Sequence, residues 1–235
     1  MPTRFRGPVK NAASSNLATR DWFQELPIGK GPEVVEYYND FLFAGDYSAS
    51  DWVVTETDAG ATQAIAADEV NGALLLTNTA ADNDIVQLQS AEEWTKLSAG
   101  KRLWFETKLK VSDATQSDIF VGLATTDTTI IAGTTDSVGF RKADGSAAVE
   151  ALTEDNTSET TTASVATLAN STYVTLGFYW DGVSKVRFYV DRSLVATHTS
   201  NIEQTNKLAL TLTLQNGEAV AKTMTIDYLY VAQER

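Results

Sequence analysis

The chain has 235 residues, a formal net charge of −13 and no cysteine. Disulfide and thiolate chemistry are thereby excluded, and a zinc site would lack its usual sulfur ligands. The acidity disfavours nucleic acid and anionic membranes as partners, and the absence of any run of about 18 apolar residues excludes an ordinary transmembrane helix.

The first segment stands apart from the rest. MPTRFRGPVKNAASSNLATRDWFQELPIGKGP holds all four prolines of the chain, and its five basic residues against two acidic ones give it a net charge of +3. The remaining 13 basic and 29 acidic residues leave the body at −16. The proline spacing biases the segment toward extended backbone, with a short helical turn expected where Ser15 or Asn16 can cap SNLATRDWFQEL. No apolar stretch follows the basic residues, so the segment does not read as a secretory signal. An extended arm cannot bury Phe5, Trp22 and Phe23 by itself and needs a surface, either its own body or a partner. Residues 1–33 are therefore read as an N-terminal arm and 34–235 as one folded body.

The body reads as short alternating segments. In RLWFETKLKV (102–111), Leu103, Phe105, Leu109 and Val111 share one face, opposite Glu106, Lys108 and Lys110. SDIFVGLATT (117–126) is apolar on both faces, like a strand covered on two sides. TYVTLGFYW (172–180) groups Val174, Leu176, Phe178 and Trp180, and SKVRFYVD (184–191) groups Val186, Phe188 and Val190. KLALTLTLQ (207–215) aligns Leu208, Leu210, Leu212 and Leu214, and KTMTIDYLYV (222–231) alternates again. Period two with β-branched and aromatic enrichment is the signature of half-buried strands. Asp181-Gly182 suits a tight hairpin turn, and Asp144-Gly145 and Asn216-Gly217 carry similar turn chemistry. SAEEWTKLSAG (90–100) is the best candidate for a short helix or turn. Many strands and a body without proline predict an all-β fold, an antiparallel jelly-roll sandwich.

Catalytic signatures are sparse. The single histidine, His198, reads as a solvent-facing strand residue, and no G-x-S-x-G elbow supplies a nucleophile. Glycosidases need two carboxylates flanking the sugar bond. Glu154, Asp155 and Glu159, in the loop TEDNTSET, lack the single-strand spacing that would put them in one groove. Asp82 and Asp84 have an i, i+2 spacing that could reach a common ion, but hard cations want six or more oxygens. No metal site and no cofactor are expected. Trp104 and Tyr189 fall on the polar faces of their strands, as candidate glycan or interface aromatics. Trp52, Trp94 and Trp180 are scattered.

TYVTLGFYWDGVSKVRFYVDRSLVATHTSNI resembles the paired hairpins of concanavalin-A-like (laminin-G-like) jelly rolls, and KTMTIDYLYVAQER resembles their closing strand. FETKLKVSD, DIFVGLATTD and TTDSVGFRK together resemble structural proteins of tailed bacteriophages, and RFRGPV is similar to the start of several such virion proteins. The chain departs from the usual hairpin at Asp191-Arg192, where relatives often carry D-G. It also lacks the glycosidase carboxylate motif and a recognisable lectin calcium loop, so neither activity is carried over.

The resemblance implies a capsid decoration (cement) protein without enzymatic activity, assembled in the bacterial host cytoplasm and carried on the virion surface. Its arm would bind the major capsid protein shell through Arg4, Phe5, Arg6, Pro8, Val9, Arg20, Trp22 and Phe23. The body would form homo-oligomers, with trimers favoured. Two rival readings are a lectin-like virion protein that binds host glycans and a glycan-degrading enzyme such as a tail-spike depolymerase.

Overall fold

The computed structural model describes residues 33–235 except Asp68, together with two short strands of the arm. Those are β1 (Val9–Lys10) and β2 (Pro27–Ile28), which pair antiparallel, Val9 opposite Ile28. Fifteen further strands build the body. They are β3 (Val34–Asn39), β4 (Trp52–Glu56), β5 (Thr62–Ile65), β6 (Leu74–Thr77), β7 (Ile85–Ser90), β8 (Leu103–Val111), β9 (Ser117–Ala124) and β10 (Ser137–Lys142), followed by β11 (Ala148–Asp155), β12 (Ser158–Thr167), β13 (Val174–Trp180), β14 (Val186–Val190), β15 (Ser193–His198), β16 (Ala209–Asn216) and β17 (Thr223–Glu234).

The strands form two antiparallel sheets. One has seven strands in the order β12-β11-β10-β9-β16-β7-β4. The other has eight, in the order β15-β14-β13-β8-β17-β6-β5 with β3 also on β17. This is the expected jelly-roll sandwich. Its interior is filled by the residues that alternation assigns inward: Leu103, Phe105, Leu109 and Val111 of β8, Leu176, Phe178 and Trp180 of β13, and the row from Leu208 to Leu214 at β16. Phe105 stacks on Phe178 with ring centroids 4.9 Å apart, and Phe140 of β10 meets Phe188 of β14 edge-on at 5.4 Å. The second contact joins the two sheets. Lys142 follows Val138 and Phe140 at an inward position, and its ammonium survives there by donating to the Ser117 carbonyl.

Turns depart from their expected forms in three places. Asp181-Gly182 opens a longer loop rather than a tight turn, in which Asp181 Oδ1 accepts from the backbone N–H groups of Val183, Ser184 and Lys185 at 2.8–3.0 Å. The tight two-residue turns fall instead at Asn156-Thr157 (φ 49° and 64°) and Asp191-Arg192 (φ 46° and 64°). Two successive left-handed residues match the strand twist, and they make these turns of the primed kind even without glycine. Residues 90–100 form turns and a bridge from Thr95 to Leu208, with no helix.

Strand β17 carries a bulge between Ile226 and Tyr228. Unbroken alternation would have sent Tyr228 inward beside Ile226. The extra residue, Asp227, turns Tyr228 and Tyr230 to the outer face and returns Leu229 and Val231 to the core. The Asp227 carboxylate receives the Lys108 ammonium at 2.5 Å.

Because Phe178 touches both Phe105 and Phe188, Phe178→Ala should cost about 3–5 kcal/mol of unfolding free energy. Urea denaturation of the full chain measures it, and a loss below about 1 kcal/mol would contradict this packing.

Candidate functional site

The inward positions of Val138 and Phe140 in β10 turn Ser137, Gly139 and Arg141 to the outer face of the seven-stranded sheet. In β11 the same logic turns out Glu150, Leu152 and Glu154. The Asn156-Thr157 turn then places Glu159 of β12 directly opposite Glu154. Arg141 organises this patch. Its Nε donates to Glu150 Oε1 at 2.6 Å, and its Nη1 and Nη2 grip both oxygens of Glu159 at 2.7 and 3.0 Å. A bidentate guanidinium is the strongest carboxylate partner a protein offers, and it holds the Glu159 carboxyl below its ordinary pKa.

Glu154 goes the other way. Burial pushes its pKa up, and the neighbouring charges of Glu159 and Asp136 add to the shift, although the Ser137 hydroxyl donates to it at 2.9 Å. Facing carboxyls whose surroundings drive their proton affinities apart are suited to act as an acid and a base.

Beside them lies a second acidic group. Carboxylate oxygens of Asp136, Asp155 and Glu203 lie within 4.8 Å of one another. Asp136 accepts from the Asn156 N–H at 2.8 Å and from Asn206 Nδ2 at 3.0 Å, while Glu203 Oε1 accepts from the N–H groups of Thr205 and Asn206. Asp136 and Glu203 are both buried. Burial first, and then the adjacent Asp136 charge, raises the Glu203 pKa. These are the residues that could contribute to a cation site; three carboxylates supply only part of the shell that calcium takes.

The centre of the same outer face is roofed. Residues 125–135 cross it, with Gln87 Nε2 donating to the Asp127 carbonyl at 2.5 Å and Gln89 Oε1 accepting from the Asp127 N–H at 3.0 Å. Ile130 seals the roof by packing on Phe120, Ala124 and Leu152. Among the described residues, the acidic patch therefore sits at the margin of a covered face rather than along an open groove.

The other expected residues fall as follows. Arg4, Phe5, Arg6, Pro8, Arg20, Trp22 and Phe23, like the helical turn expected after Ser15, lie outside the described residues, and Val9 lies in β1. Trp104 and Tyr189 do stand on the outer face of the eight-stranded sheet, but they are only 0% and 4% exposed, so neither offers a ring to a glycan. His198 is buried, against expectation. Its ring spans the sheet edge from Thr153 Oγ1 (3.0 Å at Nδ1) to Thr162 Oγ1 (2.9 Å at Nε2), and burial lowers its pKa. It is a strut between the two sheets.

Asp82 and Asp84 share no ion. Asp82 is exposed, whereas Asp84 is buried and spends its oxygens on Thr57 Oγ1, the Asp58 N–H and the N–H and Oγ1 of Thr79. Spacing along one strand does not reveal the Glu154–Glu159 pair, which forms across two. The available signal was Asn156 between two strand-like runs, which marks a hairpin.

No family model and no curated protein matches the sequence. Solved structures do share the fold. The chain is similar to a protein of unknown function from Shewanella oneidensis MR-1 (TM-score 0.61, 14% identity, 86% of this chain and 87% of that one). It is similar also to an endo-1,3-beta-glucanase from Streptomyces sioyaensis (TM-score 0.63, 16% identity, 88% and 98%) and to the Emp46p carbohydrate recognition domain in its metal-free form (TM-score 0.56, 12% identity, 82% and 93%). Identities this low show the fold alone, a concanavalin-A-like jelly roll. They do correct the expectation of a chain without enzymatic activity. Glucanases are among the proteins that carry this same sandwich, so the fold does not set the chain apart from enzymes.

The Glu203 site yields a pH prediction. A carboxyl raised in the folded state binds protons more tightly there than in the unfolded chain, so its contribution to stability falls as pH rises through the carboxylate range. Glu203→Gln keeps the oxygen that receives Thr205 and Asn206 and removes the charge beside Asp136. It should raise Tm by about 2–4 °C at neutral pH, with a smaller gain at acid pH. An unchanged or lower Tm at neutral pH would refute the assignment.

Proposed function

We propose that the chain is a docking sandwich that attaches to a larger protein assembly through an apolar rim on the loop after β3. The observation that carries this is the loop after β3. Phe41 is buried at φ 50°, a left-handed conformation that strains a bulky residue. Its N–H is held by Asn39 Oδ1 at 2.9 Å, and the backbone of Gly72 packs so closely that a Cβ there would lie 2.4 Å from the Phe41 carbonyl. So braced, the loop displays Leu42 and Phe43 at 49% and 70% exposure. Scattered single apolar residues need no account, but two adjacent large ones held exposed on a braced loop mark a contact surface.

The partner favoured is the major capsid protein shell of a tailed bacteriophage, with the chain as a capsid decoration protein on the virion. The resemblance of its strand motifs to virion proteins and the +3 arm on a −16 body support that choice, and homotrimers suit the local symmetry of a shell.

One observation favours a second reading, glycan recognition. A pocket of about 440 Å³ is lined by Tyr37, Trp52 and Trp94 with Asp51 and Glu92. Tyr37 and Trp94 are inclined at 54° with centroids 6.4 Å apart. Aromatic faces beside hydrogen-bond acceptors suit a hydroxyl-rich ligand, and a carbohydrate recognition domain and glucanases are among the proteins sharing the fold.

Co-sedimentation with phage heads that lack the protein separates the two. The full chain should pellet with the heads, and Phe43→Asp, on an exposed side chain, should weaken binding by at least about tenfold, or 1.4 kcal/mol. Equal pelleting of both proteins would remove the rim from the account. Absence of pelleting, with capture on a glycan array that Trp94→Ala abolishes, would replace docking by glycan recognition.

A further inference from the structure

The pocket beside Trp94 draws on both sheets. Tyr37 of β3 stands opposite the core residue Val231 of β17 and packs against the core with it. Trp52 opens β4 opposite Ser90 and is buried. Trp94 precedes Thr95, whose backbone is tied to Leu208 in both directions at 2.9 and 3.2 Å. Asp51 is fixed through its own backbone. Its carbonyl accepts the Ala91 N–H at 2.9 Å, and its N–H donates to the Ser48 carbonyl at 3.0 Å. Backbone hydrogen bonds therefore preform the pocket, as ligand sites usually are.

Its lining is charged as well as aromatic. Asp51 and Glu92 line it and are both exposed. None of the described residues that line it is basic, and among the described residues neither carboxylate has a basic partner. Burial pushes the Tyr37 phenol up in pKa, against the Asn39 hydrogen bond, and the Asp51 charge adds to the rise. That carboxylate is thus within electrostatic reach of the aromatic group. Aromatic faces are themselves negative. A neutral ligand would leave both formal charges uncompensated, whereas a cation is attracted by rings and carboxylates alike. Cations bind within about 6 Å of a ring centroid, and the Tyr37 and Trp94 centroids, 6.4 Å apart, are close enough to share one.

We propose that this pocket binds an organic ammonium group, with the Tyr37 and Trp94 rings against it and Asp51 and Glu92 as its counter-charge. A free quaternary ammonium compound and a protonated amino sugar both offer that chemistry. The inference does not depend on what the loop after β3 docks on. Where the ligand is a glycan, it restricts the glycan to one that carries a free amine.

Calorimetric titration of the full chain at low salt tests it with matched pairs. Choline is compared with the isosteric alcohol in which carbon replaces the nitrogen, and glucosamine with N-acetylglucosamine, whose nitrogen is uncharged. At least one cation should bind with a Kd on the order of 1 mM and about tenfold more tightly than its neutral counterpart. That margin should shrink as salt rises. Preference for choline assigns the site to quaternary ammonium, and preference for glucosamine assigns it to an amino sugar. Trp94→Ala should abolish binding, and Asp51→Asn, on an exposed side chain that leaves the fold intact, should weaken the cation about threefold and leave the neutral counterpart unchanged. Equal affinities within both pairs would overturn the proposal and return the pocket to neutral glycans. Binding of neither cation at about 20 mM, or cation binding that both substitutions leave unchanged, would overturn it as well.

Discussion

The edge-on contact of Phe140 with Phe188 is the point at which the two sheets become one body. With Phe178 stacked on Phe105 and tilted against Phe188, it fixes which face of β8, β10, β13 and β14 looks inward. A strand slipped by one residue would turn its whole apolar row to water, so this aromatic layer sets the register of the strands around it. Every outward residue is then placed by exclusion, including Arg141, Glu150 and Glu154 on one sheet and Trp104, Tyr179 and Tyr189 on the other.

A sandwich fixed in this way has two outer faces, and the seven-stranded one is not left bare here. The seven-stranded face buries Gln87, Gln89, Thr211 and Thr213 beneath residues 125–135, where each amide and hydroxyl must find a partner because an unpaired buried polar group is costly. Gln89 Nε2 accordingly donates to Thr211 Oγ1 at 3.0 Å and Thr213 Oγ1 to Gln87 Oε1 at 3.3 Å. At the margin of this roof, partial burial acts on carboxyls. Arg141 stabilises the Glu159 charge while desolvation disfavours that of Glu154, and the two stand opposite each other across the strands. That arrangement ties β10, β11 and β12 together at the edge of the sheet.

Much of this was legible in the sequence. The inward rows of β8, β13, β14 and β16 follow from period-two alternation alone, and the jelly-roll class follows from the number of such rows. The misses have physical causes. A bulge adds one residue that composition does not announce, and so the outward turn of Tyr228 and Tyr230 was invisible in TIDYLYV. Turns of the primed kind at Asn156-Thr157 and Asp191-Arg192 lack the glycine that usually marks them. Without the first turn, Glu154 and Glu159 could be compared only along the chain, where their spacing means little. His198 looked exposed because it follows polar residues on an edge strand. It is covered by Thr153 and Thr162 of the other sheet, a contact between strands far apart in sequence.

The functional account rests on the braced Phe41 loop and on the exposed Leu42 and Phe43 that it displays. Its central claim is one of orientation on a shell, and cryo-electron microscopy of heads carrying the bound protein tests it most directly. The account predicts ordered sandwich density standing on the shell, with the loop after β3 facing the capsid and the acidic patch of Arg141 and Glu159 turned away. Density with that loop facing solvent, or heads that carry none, would contradict it.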